Sequence, residues 1–316
     1  MNAPRTVRRH VRTIATLLAA ALLALPLAGC GAKPAPTASA PAVKTAAFPV
    51  TITDDASRTV TIDAEPKRIV SLAPANTEIV YSLGIIDRLV GVTTWDDYPA
   101  QVKDIAKVGD FTTPNIEAIA GAQPDVILLT GGVQADVLSK LEAVGAKVIV
   151  IDPQDLSGVF RAIETVGRAT GTSDKAEEVS TKMTADLAEI TAKLKGVTPT
   201  SAFIEIGWNP LFTAGPGTLL DDLMTTAGGA NVVKEKGYVG YSVEQLVTDQ
   251  PDVYLGTLSS IVDAKTLAKR PGYSAISAVK SGRAFSLDDN LVSRPGPRVV
   301  EGVREIAAAL HPDLFK

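Results

Sequence analysis

From about residue 49 onward, short apolar runs alternate with segments that carry apolar residues at helical spacing. The runs at 126–129 and 147–151 are almost wholly apolar or β-branched and have the length of buried strands. This alternation predicts an α/β fold with mainly parallel sheets, because consecutive parallel strands need a crossover, usually a helix. The runs at 50–52 and 59–62 are close enough to form a hairpin. The other predicted strands are 68–72, 89–92, 202–206, 253–255 and 284–287, and the predicted helices are 74–83, 116–120, 138–144, 219–227 and 299–310.

One amphipathic segment, at 173–195, is much longer than the others. Ser173 and Asp174 suit a helix N-terminus, and Gly196 suits the stop. At 1.5 Å per residue, a helix of about 23 residues spans roughly 34 Å, which exceeds a usual crossover helix. Because the segment lies near the middle of the chain that follows residue 49, we expect it to connect two lobes. Its apolar face consists of Ala176, Val179, Met183, Leu187, Ile190 and Leu194.

The two halves of the chain repeat one another. Residues 115–130 align without gaps on residues 242–257, with identical residues at seven of sixteen positions. Each copy predicts a helix, a Gln-Pro-Asp turn and a buried strand, and Asp125 and Asp252 are expected to have a structural role in that turn. Two similar lobes would leave a ligand cleft between them. The predicted divisions are an N-terminal lobe at 49–172, an interlobe helix at 173–196 and a C-terminal lobe at 197–316.

The N-terminal region has the pattern of an export signal. A positively charged start precedes an apolar run at 14–25, which is shorter than the roughly 20 residues of a membrane-spanning helix. Leu-Ala-Gly-Cys at 27–30 resembles the bacterial lipobox, which implies removal of a signal peptide at 1–29 and acylation of Cys30. Residues 30–48 are rich in Ala, Pro, Lys and Thr and predict a flexible tether. We therefore expect a lipid-anchored domain at the extracytoplasmic face of a bacterial membrane.

Composition narrows the classes of function. The formal charge is −4, from 31 basic and 35 acidic residues, so nothing favours a nucleic-acid partner. The two histidines, His10 and His311, lie near opposite ends of the chain, and Cys30 is the single cysteine. These counts argue against a histidine-dependent triad, a histidine-based metal or haem site, a disulfide and a CxxC redox pair. We expect no catalysis, metal or cofactor, because a two-lobed surface enzyme would need clustered ligands or a general base.

Several motifs together resemble one family. They are the lipobox, the Arg-Ile-Val-Ser-Leu-x-Pro-x-x-Thr-Glu sequence at 68–78, the paired Glu…Gln-Pro-Asp segments and the long central helix. The region 66–316 resembles the periplasmic binding proteins of ABC importers, in the subclass with a rigid interlobe helix that serves cobalamin, ferric siderophores and haem. The resemblance implies a monomer that binds a small ligand in its cleft. It also implies delivery of that ligand to a permease dimer with ATPase subunits.

Within this subclass, two segments are most similar to the cobalamin-binding members. Gly-Val-Thr-Thr-Trp-Asp-Asp-Tyr-Pro at 91–99 is similar to their Gly-Val-Ser-Ser-Tyr-Ser-Asp-Tyr-Pro. Ile-Gly-Trp-Asn-Pro-Leu-Phe-Thr-Ala-Gly at 206–215 is similar to their Phe-Gly-Ile-Asn-Pro-Pro-Phe-Thr-Ser-Gly. The implied ligand is cobalamin or a related corrinoid, with a ferric siderophore or haem as the alternative. Thr130 stands where those members carry an aromatic residue and so departs from their pattern.

Five aromatic residues are candidate ligand contacts. Three are predicted to follow strands, where open α/β sheets bind ligands, and two precede the repeated helices that carry Glu117 and Glu244. Flat rings suit a large, partly apolar ligand. The alternative is that they fill the interface between the lobes. The resemblance places Trp95 at a ligand-binding tyrosine, Phe212 at a phenylalanine, and Phe111 and Tyr238 at tryptophans. The five candidates are Trp95, Phe111, Trp208, Phe212 and Tyr238.

Polar candidates follow the last predicted strand. By the same resemblance, Asp289 or Asn290 accepts hydrogen bonds from corrin amide groups. Arg294 is a candidate ligand contact that faces the cleft, because an arginine fork suits the carboxylate and catecholate oxygens of siderophores and haem. The alternative is that Arg294 has a structural partner inside its lobe. Arg298 is predicted to have a structural partner inside its own lobe.

Glu117 and Glu244 occupy the same place in the two repeats. In the first turn of a helix, a glutamate stabilises the positive end of the helix dipole. This role accounts for each glutamate separately, but it does not explain why both repeats carry one at the same position. In the resembled family, these are the glutamates, one per lobe, that dock on arginines of the permease subunits. The predicted permease-docking residues are therefore Glu117 and Glu244.

Overall fold

The computed structural model describes residues 48–257 and 262–315. The predicted signal peptide at 1–29, Cys30 and all but the last residue of the tether at 30–48 lie outside the described residues. The predicted hairpin is confirmed, since β1 (Val50–Thr53) pairs antiparallel with β2 (Thr59–Ile62).

The N-terminal lobe is built on a wholly parallel sheet. Its strands are β3 (Ile69–Ser71), β4 (Leu89–Gly91), β5 (Val126–Leu129) and β6 (Lys147–Val150). They lie in the order β4-β3-β5-β6, and every neighbouring pair is parallel. All four residues of β5 are buried, which explains its continuous apolar sequence, because parallel sheets are covered on both faces. The helices of this lobe are α1 (Pro74–Ser82), α2 (Ile116–Gly121) and α3 (Leu138–Glu142).

Two packed helices connect the lobes, where the sequence predicted one. They are α4 (Leu156–Thr170) and α5 (Ser173–Lys193), joined at Gly171, whose φ is 76°. α4 was not predicted from the local sequence, because Gly158 and Gly167 lower its helix propensity. A Cβ on Gly167 would lie 2.6 Å from the Cβ of Ala176, so the close approach of the two helices requires this glycine.

The C-terminal lobe has a mixed sheet. Its strands are β7 (Thr200–Trp208), β8 (Leu211–Ala214), β9 (Gly229–Asn231), β10 (Tyr238–Gly240), β11 (Val253–Gly256) and β12 (Ala284–Ser286). β9, β7, β11 and β12 are parallel to one another, whereas β8 is antiparallel to both of its neighbours, β7 and β10. Its helices are α6 (Leu219–Thr226), α7 (Val243–Asp249), α8 (Ala264–Leu267), α9 (Ser277–Lys280), α10 (Asp289–Val292) and α11 (Val299–Leu310).

The antiparallel part of this sheet corrects the sequence analysis. The predicted strand at 202–206 continues to Trp208, and the chain then turns through Asn209 and Pro210 into β8. Trp208 pairs with Leu211 across this turn. Gly207 and the Asn-Pro pair have the composition of a loop, but pairing with β8 holds Gly207 and Trp208 in the strand, and only Asn209 and Pro210 form the turn.

One hydrophobic core runs through both lobes. It includes Ile69 of the first sheet, Ile163 of α4, Leu223 of α6 and Ile306 of α11, all fully buried. α4 packs against β1, α1 and α6, and α5 packs against α4 and α11. The lobes are therefore joined by a continuous apolar interior as well as by the connecting helices. None of the described helices has the length and apolar character needed to span a bilayer.

The repeated Gln-Pro-Asp turns have the same conformation in both lobes. Gln123 and Gln250 are left-handed, with φ of 47° and 48°. The predicted structural role of the aspartates is confirmed, although they do not bond to their own turn. The Asp125 carboxylate accepts from the backbone N–H groups of residues 67 and 68 at 2.7 and 2.9 Å, and Asp252 accepts from the Ser201 hydroxyl at 2.6 Å. Each aspartate thus fixes the start of the neighbouring strand.

Candidate functional site

A cavity of about 520 Å³ lies between the lobes. Its N-terminal wall consists largely of residues that follow the four parallel strands: 73–76 after β3, Trp95 after β4, Thr130 after β5 and 151–153 after β6. The opposite wall comes from Asp289 of α10 and from residues 293–295 of the loop before α11. The site therefore lies beyond the carboxyl ends of the strands, as expected for an open parallel sheet.

Trp95 and Phe111, two of the predicted ligand contacts, both line this cavity. Trp95 is 61% exposed, yet its ring is fixed, because its indole Nε1 donates to Asp110 Oδ2 at 2.6 Å. Phe111 lies on the same loop as Asp110 and is half-buried. One wall of the cavity thus carries two aromatic rings, the hydrogen-bonded indole of Trp95 and the ring of Phe111.

The buried Gln134 positions this wall. Its amide Nε2 donates to the carbonyl oxygens of Leu72 at 2.7 Å and Phe111 at 2.6 Å, and its Oε1 accepts from the Thr130 N–H at 2.9 Å. One side chain therefore ties together the loops that follow β3 and β5 and the loop that carries Phe111. The sequence analysis did not identify it, because its partners lie up to 62 residues away.

The charged residues that line the cavity are mostly acidic. They are Asp110, Asp152, Asp289 and Arg294. The N–H of Thr112 and the indole of Trp95 hold the pKa of Asp110 below its usual value. Burial, and secondarily the charge of Asp55, raises the pKa of Asp152. Asp152 follows β6 directly, so the strand-end rule that identified the aromatic candidates also applies to it.

Arg294 faces the cavity but is already paired. Its Nη1 lies 2.6 Å from Asp97 Oδ1 and 3.2 Å from Glu78 Oε1. Burial acts to lower the pKa of Arg294, but these two carboxylates outweigh it and the pKa is raised. The guanidinium is therefore neutralised by protein groups of the opposite lobe.

Arg298 has a structural partner, as predicted, but the partner belongs to the other lobe. Its Nε and Nη2 donate to the two oxygens of Glu78 at 2.9 and 2.7 Å, across 220 residues of sequence. Its guanidinium also lies 4.0 Å from the ring centroid of Tyr98. We call Glu78, Asp97, Arg294 and Arg298 the interlobe clamp. The prediction of a partner within the lobe was wrong because α11 begins at the interface, opposite α1.

The three aromatic candidates of the C-terminal lobe do not line the main cavity. Tyr238 lines a smaller cavity of about 180 Å³, which shares Ser293 with the main one. Trp208 is 54% exposed, and the guanidinium of Arg270 lies 4.9 Å from its ring centroid. Phe212 is 37% exposed on β8. All three lie on β7, β8 and β10, which form the antiparallel edge of the sheet. The sequence predicted only residues 202–206 of this edge.

Asp289 and Asn290 differ in placement. Asp289 lines the main cavity and accepts a hydrogen bond from the Ser293 hydroxyl. Asn290 is half-buried and lies outside the lining of the two cavities described above. The structure therefore brings Trp95, Phe111, Asp289 and Arg294 to one cavity and leaves Asn290 beside it.

Glu117 and Glu244 lie away from the cavity at equivalent positions of the two lobes. Each is exposed and is the second residue of its helix. The side chains of Asn115 and Ser242 cap these helices, each accepting an N–H at 3.0 Å. Neither glutamate has an ion-pair partner within the described part of the chain, so neither is needed to cap its helix or to neutralise a neighbour.

Metal chemistry finds little support in the side chains. Among residues 48–257 and 262–315, no group of three or more His, Cys, Asp and Glu side chains is placed to hold a metal ion. His311 is nearly buried at the end of α11, where its Nε2 lies 3.0 Å from the carbonyl oxygen of Gly228. This histidine packs against the C-terminal lobe and lines neither of the two cavities described here.

Comparison with known proteins agrees with this architecture. A relative from Bacillus subtilis (strain 168), named "Uncharacterized ABC transporter substrate-binding lipoprotein YvrC", is 40% identical over 96% of this chain and 97% of its own. A "Cobalamin-binding protein" of Halobacterium salinarum is 29% identical over 96% of this chain and 85% of its own. The crystal structure of a periplasmic haem-binding protein from Pseudomonas aeruginosa superposes with a TM-score of 0.70, at 28% identity, over 78% of this chain and 93% of that chain.

The family model described as "Periplasmic binding protein" matches residues 69–291. That range includes both sheets, both connecting helices and most of the cavity lining. It confirms the family resemblance and the two-lobed α/β fold that the motifs predicted. The chain belongs to the periplasmic binding protein family.

Proposed function

We propose that this protein is a lipid-anchored solute-binding component of an ABC importer that captures cobalamin or a related corrinoid in the interlobe cavity. Two relatives support the proposal, one named an ABC transporter substrate-binding lipoprotein and one named a cobalamin-binding protein. The observation that carries the choice of ligand is the charge of the cavity, which is acidic and contains one neutralised arginine.

An acidic cavity favours a ligand that presents N–H donors. A corrin ring carries peripheral carboxamides, whose N–H groups are matched by the carboxylates of Asp110, Asp152 and Asp289. Trp95 and Phe111 offer apolar surface to the ring itself. An anionic ligand, such as a ferric catecholate or haem with its propionates, would meet like charges and would have to displace Glu78 and Asp97 from Arg294.

Haem is the second candidate of the same importer class, because a haem-binding protein shares the fold. Iron in haem is commonly held by His, Cys, Met or Tyr. No residue of these four types lines the described part of the main cavity, and Tyr238 lines only the smaller one. The side chains therefore favour the corrinoid over haem.

A test of retained colour distinguishes the candidate ligands. The protein lacking residues 1–30 is mixed separately with cyanocobalamin, haemin and a ferric catecholate siderophore, and each sample is desalted before its visible spectrum is recorded. We expect stoichiometric retention of cyanocobalamin and loss of the other two. Retention of haemin or the siderophore, with loss of cyanocobalamin, would overturn the corrinoid assignment and leave the importer class standing.

Delivery requires a docking surface, and Glu117 and Glu244 suit it. They are exposed, symmetric in the two repeats and free of intramolecular ion pairs in the described chain. Two matched anions fit a permease dimer with one cationic site per subunit, since complementary charge sets register and speeds encounter. We therefore assign permease docking to this pair of glutamates.

The docking proposal is tested by charge reversal. Glu117→Lys with Glu244→Lys should abolish cobalamin uptake by cells, while the affinity of the purified protein for cyanocobalamin stays unchanged. The matched control is Glu164→Lys with Glu177→Lys, which makes the same charge change at exposed sites on the connecting helices. Normal uptake by the first double variant, or equal loss in the control, would refute docking through these two residues.

Anchoring is assigned to Cys30. One acyl chain gives only marginal membrane binding, so more than one lipid is expected on the mature N-terminus. Cys30→Ser should move the protein from the detergent phase to the aqueous phase in a partition experiment. Unchanged detergent partitioning of this variant would contradict the lipid anchor without affecting the ligand assignment.

A further inference from the structure

The N-terminus of α1 opens onto the main cavity. Ala73 is its N-cap and supplies no side-chain cap, and Pro74 occupies the first helical position. Residues 73–76 all line the cavity. The first turn of a helix leaves backbone N–H groups without intrahelical partners and carries partial positive charge, so this end of α1 favours a hydrogen-bond acceptor.

Asn76 adds a buried donor at the same place. The residue is only 1% exposed, and its amide Nδ2 has no hydrogen-bond partner in the described structure. The hydroxyls of Ser71 and Thr77 bond to other groups: Thr77 Oγ1 donates to Ser71 Oγ at 2.8 Å, and Ser71 Oγ donates to the Ala73 carbonyl oxygen at 3.0 Å. A buried amide donor left unpaired destabilises the fold, so a partner that arrives from the cavity would relieve that cost.

We infer that Asn76 and the N-terminus of α1 form a site that anchors an oxygen acceptor of the ligand. The inference rests on the proposed corrinoid function, which supplies two such oxygens: the carbonyl of a peripheral carboxamide and the phosphodiester of the nucleotide loop. The acidic residues of the cavity then take the ligand's N–H donors, and Asn76 takes an acceptor. The two kinds of site together orient the ligand, because each rejects the polar groups that the other binds.

The test separates binding from folding. Asn76→Leu removes the donor with little change in size, so the dissociation constant for cyanocobalamin should rise about tenfold or more. The melting temperature of the ligand-free variant should stay the same or rise, because an unpaired polar group has been removed. Asn76→Ala removes the donor without adding bulk, and it should likewise weaken cyanocobalamin binding without lowering the melting temperature. The control Gln101→Leu changes an exposed amide outside the cavity and should alter neither quantity.

A second ligand identifies the acceptor. Cobinamide keeps the corrin carboxamides but lacks the nucleotide loop. Equal weakening of cyanocobalamin and cobinamide places the acceptor on the ring periphery, and weakening of cyanocobalamin alone places it on the phosphodiester. Wild-type affinity for cyanocobalamin in both Asn76 variants would overturn the inference. Failure of the unsubstituted protein to bind cyanocobalamin would instead overturn the proposed function, and the inference with it.

Discussion

The interlobe clamp makes a sharp prediction about stability. Glu78 is 2% exposed, and its carboxylate receives three hydrogen bonds from two arginines: Arg294, in the loop before α11, and Arg298, the N-cap of α11. Glu78→Gln keeps the shape of the side chain and one acceptor oxygen but removes the negative charge. Arg294 still has Asp97 as a partner, whereas Arg298 loses its only ion-pair partner in the described chain.

The magnitude follows from burial. Removing one partner of a fully buried ion pair costs about 3–5 kcal/mol, since the remaining charge stays desolvated. The arginine side chains here are 15% and 20% exposed, so solvent screens part of that charge. We therefore expect the unfolding free energy to fall by about 2–3 kcal/mol. For a protein of this size, that corresponds to a drop in melting temperature of about 5 °C.

Thermal and urea unfolding of the ligand-free protein measure this loss. Glu142→Gln is the matched control, because it removes the same charge from an ion pair with Arg58 in which Glu142 is 54% exposed. Exposed pairs contribute about 0.2–1 kcal/mol, so the control should shift the melting temperature by about 2 °C or less. If Glu78→Gln is as stable as the control, the clamp does not stabilise the lobe junction and the burial argument is wrong.

Three further predictions follow from the cavity and the core. Trp95→Ala should weaken cyanocobalamin binding by about threefold or more in calorimetry. The melting temperature should change little, because the ring is largely exposed. A large loss of stability at unchanged affinity would instead show that Trp95 packs the interface between the lobes. Burial and Asp55 raise the pKa of Asp152, so its charged form destabilises the fold; Asp152→Asn should therefore be more stable than wild type in urea at neutral pH. That gain in stability should vanish as the pH falls through the raised pKa, because the wild-type carboxyl then becomes neutral as well. If Asp152→Asn is less stable than wild type at neutral pH, the charged carboxylate does not destabilise the fold. Because α4, α5 and a continuous core join the lobes, small-angle scattering should show almost no change in radius of gyration on adding cyanocobalamin; a shift of several ångströms would refute the rigid connection.

Local pattern was sufficient for much of the fold. The helix at 173–195 was predicted from its apolar face and is observed as Ser173–Lys193, because the helical period is a property of the segment itself. α4 was not predicted because glycine disfavours a helix, and the need for Gly167 becomes clear only from its close contact with α5. The strand-end rule correctly placed Trp95 beside the cavity. It misplaced Trp208, since β7 continues into a hairpin that only its sheet neighbours stabilise.

By itself, the sequence determined the alternation of strands and helices, the internal repeat, the family motifs and the likeness of the two lobes. These are carried by residues close together in the chain, where period, capping and turn chemistry act directly. Tertiary structure alone decided that Arg298 pairs with Glu78 across 220 residues, that Arg294 is neutralised and that the Asn76 amide is buried without a partner. The reason is that burial and the choice of a partner depend on which distant segments become neighbours, and a hydrophobic pattern specifies a buried face without specifying what covers it.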